Sequence, residues 1–275
     1  MLQQTDWRWL IPVVLVIQFQ IVFSALRWKI TAGRLGQSLT MRRAIFEYYL
    51  ATVANLSLPG GVAGDAARIY RNRQPDALSV SIRGVVLERV AGQLALLLIV
   101  IIGWLLWPML MPGSIPEFSV RILTISGLLL VLISAACVLI IRFAPDRITR
   151  PVREFGPALY AVWWSDRQWI VQSVLSVVIV FTYLLVFLLC SYAVQAPLPL
   201  SAVVTIVPLV LLSMLVPVSI GGWGIREAAA ALLWPVAGLS AEAGIATSVV
   251  YALVSLLGCL PGLLLWFGQS GWSAK

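Results

Sequence analysis

The sequence predicts an all-α membrane protein: a multi-pass helical bundle with two re-entrant or broken helix hairpins arranged as inverted-topology repeats. Three observations carry that expectation. First, the 275-residue chain is 61% hydrophobic, only 11% charged, and has a mean hydropathy of +0.97. Several of its apolar runs are long enough to cross the hydrocarbon core of a bilayer, whereas a membrane β-barrel would show short alternating strands. Second, two apolar runs are interrupted by proline and glycine beside charged residues. Third, lysine and arginine fall in a few segments between the runs, as retention of positive charge on the cytoplasmic side requires.

In chain order, the first spanning helix is expected at about 9–28, with Trp7, Trp9 and Trp28 at the interfaces and Gln18 and Gln20 facing other helices. Its apolar run is too long for a cleaved signal and leads to Arg27 and Lys29, not to a small-residue cleavage site. Arg34, Arg42 and Arg43 follow on the same, cytoplasmic side. The run from Ala44 to Leu58 is short for a crossing and ends at Pro59-Gly60-Gly61; a helix then carries Arg68, Arg71 and Arg73. A re-entrant hairpin over about 44–72 keeps those positives inside, and such irregular backbone is tolerated at depth where protein or a wet cavity surrounds it. The next span is 79–107. Its Glu88 and Arg89 are neighbours in sequence and point to different helix faces, so each either finds a partner on another element or anchors the helix at the interface.

A proline-containing loop without Lys or Arg (Pro108–Phe118) suits the outside, and a span over 119–143 returns inward to Arg142, Arg147, Arg150, Arg153 and Arg167. Trp163, Trp164 and Trp169 read as interface anchors. A span over 169–194 leads to an uncharged outside loop with Pro197 and Pro199. A second broken hairpin over 201–235 follows, and a last span over 243–267, with a kink expected at Pro261, leaves Lys275 inside. This arrangement puts fifteen of the nineteen basic residues on one side. The order is helix, hairpin, helix, a linking helix, then helix, hairpin, helix, with the hairpins entering from opposite faces: the plan of many secondary transporters. The whole chain is read as one integral membrane domain, 1–275.

The two interrupted stretches hold the chemistry. The first contains Asn55, Pro59, Gly60, Gly61, Gly64, Asp65 and Arg68; the second Pro217, Gly221, Gly222, Gly224, Arg226 and Glu227. Proline stops each apolar helix, glycine lets the backbone turn, and a new helix starts immediately afterwards. Free N–H groups and the dipole make such a helix start attractive to phosphate, and an arginine fork within two turns adds bidentate donors. With Glu88 and Arg89, these are the candidate substrate-binding residues. Two readings of the arginines stand together: contact with an anionic head group, or neutralisation by Asp65 and Glu227 to hold the hairpins in shape.

Composition also excludes classes. The net charge of +8 is not laid out as a groove-like stripe, so nucleic-acid binding is not expected. The chain has no histidine, which removes histidine triads, metal sites and proton shuttles. Cys137, Cys190 and Cys259 each stand alone in apolar runs and suggest neither a metal site nor a disulfide framework. No cofactor and no catalytic residue is expected.

Arg27-Trp28, the Asn55-Leu56-Ser57-Leu58-Pro59-Gly60-Gly61 run with Gly64-Asp65 and Arg68, Glu88-Arg89, and Pro217 with Gly221-Gly222-Trp223-Gly224-Ile225-Arg226-Glu227 together resemble one family. It is the membrane region of lysylphosphatidylglycerol synthases and the stand-alone flippase-like proteins related to it, and the resemblance covers nearly the whole chain. It implies movement of lipid head groups across the bilayer. Without a following synthase domain it does not imply aminoacyl transfer, so the expectation is a non-enzyme. Relatives usually carry one more spanning helix before the segment matching Asp6-Trp7-Arg8-Trp9, a departure at the start of this sequence. The expected function is translocation of an anionic phospholipid or lipid-linked saccharide across the cytoplasmic membrane, with the C-terminus inside. The alternatives are an integral-membrane transferase acting on a lipid phosphate, with Asp65, Glu88 or Glu227 as base, or a non-transporting partner of a cell-envelope lipid or glycan enzyme.

Overall fold

The computed structural model describes residues 5–73, 78–111, 154–215 and 219–262, together with positions 120, 121, 124 and 264. Nearly all of the span expected at 119–143, together with Cys137, Arg142, Arg147, Arg150, Arg153, Pro217 and Lys275, lies outside the described residues. Among the described residues the chain is helical and contains no strand. The main elements are α1 (Leu10–Arg34), α2 (Met41–Ser57), α3 (Ala63–Arg71), α4 (Leu78–Leu105), α5 (Gln168–Ala193), α6 (Leu200–Thr205), α7 (Val207–Ser213), α8 (Ile225–Leu233) and α9 (Ala241–Gly258). Four helical stretches are long and apolar enough to cross a membrane: Trp7–Arg34, Leu78–Leu105, Phe155–Ala193 and Ala241–Gly262. They agree with four of the five expected spans.

Helix α1 runs antiparallel to α5. The backbone N–H of Asp6 donates to the Ala193 carbonyl at one end (2.8 Å), and Gln172 donates to Thr31 at the other (3.0 Å). Helix α9 crosses α1 where Gln18 donates to the Gly258 carbonyl (2.9 Å), so Gln18 does face other helices. The Tyr49 hydroxyl bonds the same Gln18 from α2. In a bilayer, helices gain little from leaving lipid, so close packing and such interhelical bonds carry the association. The aromatic centre is Phe187, stacked on Tyr251 (4.2 Å between centroids) and tilted against Trp234 (6.4 Å). Cys190 and Cys259 are free and buried, as small apolar side chains are.

The structure corrects the end of the first span. Helix α1 does not stop near Trp28; it continues to Arg34 and closes at Gly36, whose φ of +84° allows the Gln37 and Gly36 N–H groups to bond back to Ala32 and Gly33. Nothing between Arg27 and Arg34 breaks a helix. Trp28 is therefore a buried side chain, 2% exposed, not an interface anchor. A second correction concerns the apolar run after Pro199, which is two short helices and not one. Pro208 has no N–H to give the Val204 carbonyl, and the helix breaks at Ile206. Gly103 of α4 packs against that Val204 carbonyl, where a Cβ would collide.

Helices α2 and α3 form a helical hairpin. Arg43 near the start of α2 donates to the Asn72 side chain (2.8 Å) and the Arg71 carbonyl (3.0 Å) at the end of α3. Gly64 lets the two arms touch, since a Cβ there would overlap the Ala51 carbonyl. Gly64→Ala is expected to destabilise the protein by about 1–3 kcal/mol through overpacking, read as a lowered unfolding temperature in detergent. An unchanged temperature would show that the arms can part freely.

Candidate functional site

The two proline–glycine stretches, 160 residues apart in sequence, meet. Pro59 and Ile220 form an isolated antiparallel bridge, and the Gly60 N–H donates to the Ser219 carbonyl (3.2 Å). Gly60, Gly61, Gly221 and Gly222 all have φ between +56° and +85°, a region that costs other residues energy. At Gly221 the lack of a Cβ is also needed for contact, because one would lie 2.5 Å from the Leu56 carbonyl oxygen. Gly224 (φ +83°) turns the chain into α8.

Around the first turn lies a network of five charged side chains, four of them buried. Glu88 of α4, wholly inaccessible, accepts from Arg27 of α1 (2.6 Å) and Arg68 of α3 (2.7 Å), and from the Tyr48 hydroxyl of α2 (3.0 Å). Arg68 also pairs with Asp65 (2.9 Å), whose other oxygen pairs with Arg89 (2.7 Å). Glu88 and Arg89 thus do find partners on other elements. The Arg68 guanidinium lies between the rings of Trp28 and Tyr48, each 4.9 Å away, which suits a delocalised cation. Arg27 donates further to Ser176 of α5 (2.9 Å). Five helices, α1 to α5, are therefore tied through one carboxylate and its partners.

The second turn has its own, smaller cluster. Arg226, fully buried, donates to Glu227 (2.6 Å) and to Ser248 of α9 (2.8 Å), and Ser248 donates to Glu227 (2.9 Å). The Tyr251 ring lies 5.1 Å from the Arg226 guanidinium. The far oxygen of Glu227 accepts the Gly224 N–H (2.5 Å) and so caps α8. Asn55 does the same for α3, accepting the Gly64 N–H (2.8 Å). Each helix start thus already has one N–H bonded within the protein.

The expected site residues therefore fall into two adjacent groups joined through the glycine seam. Asp65, Arg68, Glu88 and Arg89 share one network; Gly224, Arg226 and Glu227 share the other. Arg68 and Arg226 are 1% and 0% exposed, so neither is open to a ligand in this conformation, whereas the Arg89 side chain is 43% exposed. Sequence reasoning missed Arg27, Tyr48 and Ser248 as members. Arg27 follows an apolar run and looked like a surface positive; its own signal was the absence of proline between it and Gly36.

An apolar cavity of about 650 Å³ opens beside the seam, between the start of α1, the end of α2 and α9. Trp7, Leu10, Val53, Ser57, Val254 and Leu257 line part of it. Among the described residues no group of acidic, cysteine or histidine side chains is placed to hold a metal.

Residues 1–262 match the family model described as the lysylphosphatidylglycerol synthase TM region. No curated protein and no solved structure matches the chain.

Proposed function

The chain belongs to the lysylphosphatidylglycerol synthase transmembrane-region family, and we propose that it translocates an anionic phospholipid or lipid-linked saccharide across the cytoplasmic membrane. The observation that carries this reading is the seam itself: two broken hairpins touching through glycine backbone, with a charged cluster on either side, three arginines in one and one in the other. Ionisable residues inside a membrane bundle are costly and mark a pathway by default. We read the hairpins as re-entrant elements of inverted-topology repeats. In support, the open end of the first lies at the Arg34 end of α1, where Ala44 packs with Trp28. The second ends at Trp234, against Phe187 toward the opposite end of the bundle. The clustering of Lys and Arg supports the Arg34 end, and the C-terminus, as cytoplasmic. The apolar cavity gives an acyl chain a place beside the head-group path.

We read the protein as a translocator and not a catalyst. Of the three carboxylates available as a base, Asp65 and Glu88 are each shared by two arginines and Glu227 is held by Arg226. Each is thus already engaged by a cation within the protein.

The test is translocation of fluorescent lipid in reconstituted vesicles. Arg226→Lys keeps the charge but loses the planar fork that reaches Glu227 and Ser248 at once. It is expected to lower the translocation rate by about tenfold or more, in line with the loss of charge-assisted bonds. A wild-type rate in this variant, or no translocation by the unaltered protein, would overturn the reading.

A further inference from the structure

We propose that the network around Glu88 is a binding site for exactly one negative charge, that Arg89 is its landing point, and that Asp65 sets that number. The inference rests on the reading above and assigns the head group's charge class to one of the two clusters. Among the described residues the network holds three guanidinium groups, Arg27, Arg68 and Arg89, against two carboxylates, Asp65 and Glu88. The cluster at Arg226 is balanced, one arginine to one glutamate. A charge in a lipid bundle is costly unless compensated, and only the first cluster carries a surplus, on the accessible Arg89, so the charge count favours an anion there over the balanced second cluster.

Open buried donors lie at both clusters: Nη1 of Arg226 at the second, and Nε of Arg27 with two nitrogens of Arg68 at the first. Arg68 donates through Nη2 to Glu88, and Asp65 Oδ1 sits 2.9 Å from the same nitrogen without a hydrogen bond, so Nε and Nη1 of Arg68 are left buried without an acceptor. Trp28 and Tyr48 cover the faces of that guanidinium, but ring faces do not satisfy N–H groups on its edge. Arg89 bonds Asp65 through Nη2 and leaves the rest of its side chain accessible, twelve residues into α4. It shares an exposed stripe with Ile82, Val86 and Gln93, at i, i+3 and i+4 spacing, so an anion reaches Arg89 from the flank of the helix. Asp65 bridges Arg89 and Arg68. An oxyanion bound at Arg89 competes for that bridge, and movement of Asp65 would open the route to the vacant Arg68 edge. The ligand chemistry is a singly charged phosphodiester, either on a lipid or free in solution.

The charge count gives a specific test. The purified protein in neutral detergent is titrated with three probes: a phosphodiester lipid, a phosphomonoester lipid carrying close to two charges, and inorganic phosphate. Retention is read by native mass spectrometry. The unaltered protein should retain the phosphodiester lipid in preference to the monoester. Arg89→Gln should weaken phosphodiester retention about tenfold, the worth of a charge-assisted contact. Arg83→Gln, on the same helix and paired with Glu154 (2.6 Å), removes the same charge and should not. Asp65→Asn keeps the shape, raises the surplus to two, and should reverse the preference toward the monoester lipid. That gain does not depend on Arg89→Gln folding well. Displacement of lipid by inorganic phosphate at equal concentration would identify free phosphate as the ligand source. Unchanged selectivity in Asp65→Asn, or equal losses in Arg89→Gln and Arg83→Gln, overturns the proposal even if lipid translocation stands. Failure of every lipid to bind overturns it together with the translocation reading.

Discussion

Glu88→Ala is expected to destabilise the protein by about 3–5 kcal/mol, the cost of leaving buried charge without its partner. Glu88 is fully inaccessible and accepts from Arg27, Arg68 and Tyr48 at 2.6, 2.7 and 3.0 Å. Removing it leaves the Arg27 guanidinium with Ser176 as its hydrogen-bond partner among the described residues and leaves Arg68 dependent on Asp65. Because Arg27 sits on α1, Arg68 on α3 and Tyr48 on α2, the loss falls on the docking of the first hairpin and not on any single helix. Unfolding in detergent, followed by heat or denaturant, measures it. Arg27→Met combined with Glu88→Ala should cost less than the two single changes added, since it removes a charge together with its partner. Glu88→Gln keeps the acceptor oxygen and the shape and should fall between alanine and the native residue. A Glu88→Ala protein within about 1 kcal/mol of the unaltered one would mean that water or lipid phosphate reaches these arginines freely, contrary to the burial argument.

The second large effect is expected at Gly221. Alanine there must adopt a φ of +56° and place its Cβ 2.5 Å from the Leu56 oxygen. The left-handed backbone costs about 1–2 kcal/mol, and the overlap adds about 1–3 kcal/mol unless the tips separate. Separation is the cheaper response, because among the described residues the seam's backbone pairing is one isolated bridge, to which the Gly60–Ser219 bond belongs. The helices should therefore survive while the tips part. A P59C/I220C pair reports this directly, since bridged residues lie within disulfide reach. Oxidation should join the pair readily in the otherwise native chain and fail when Gly221→Ala is added. Gly60→Ala is the matched control: its φ is +80° but a Cβ there meets nothing within 4 Å. It should pay the backbone cost alone and leave cross-linking largely intact. Equal cross-linking in all three proteins would remove the seam as a close contact.

Much of the site was legible because its residues break rules that lipid imposes. Pro59 and the glycines around it stand out in an apolar run, and Asp65, Arg68, Glu88, Arg89, Arg226 and Glu227 are charges where charge is expensive. Their grouping was less legible. Asp65 lies one turn from Arg68 and Glu227 beside Arg226, so those pairs could be read locally. Glu88, by contrast, is 61 residues from Arg27 and 20 from Arg68. Spacing along a chain carries no information on which of several arginines a buried carboxylate will meet. Ser248 was invisible for a related reason: a serine in an apolar helix looks the same whether it bonds its own backbone or a neighbour's guanidinium.

By itself, the sequence determined the solvent and the helical class, though not where α1 ends or that the run after Pro199 is two helices. Its apolar composition requires a membrane, a membrane requires helices that satisfy their own backbone, and proline with glycine marks where those helices fail. What only the tertiary structure decided is which failures face each other and which charges cancel. Those depend on distances between segments far apart in sequence, and a surplus of one positive charge emerges only when three helices bring their side chains to the same place.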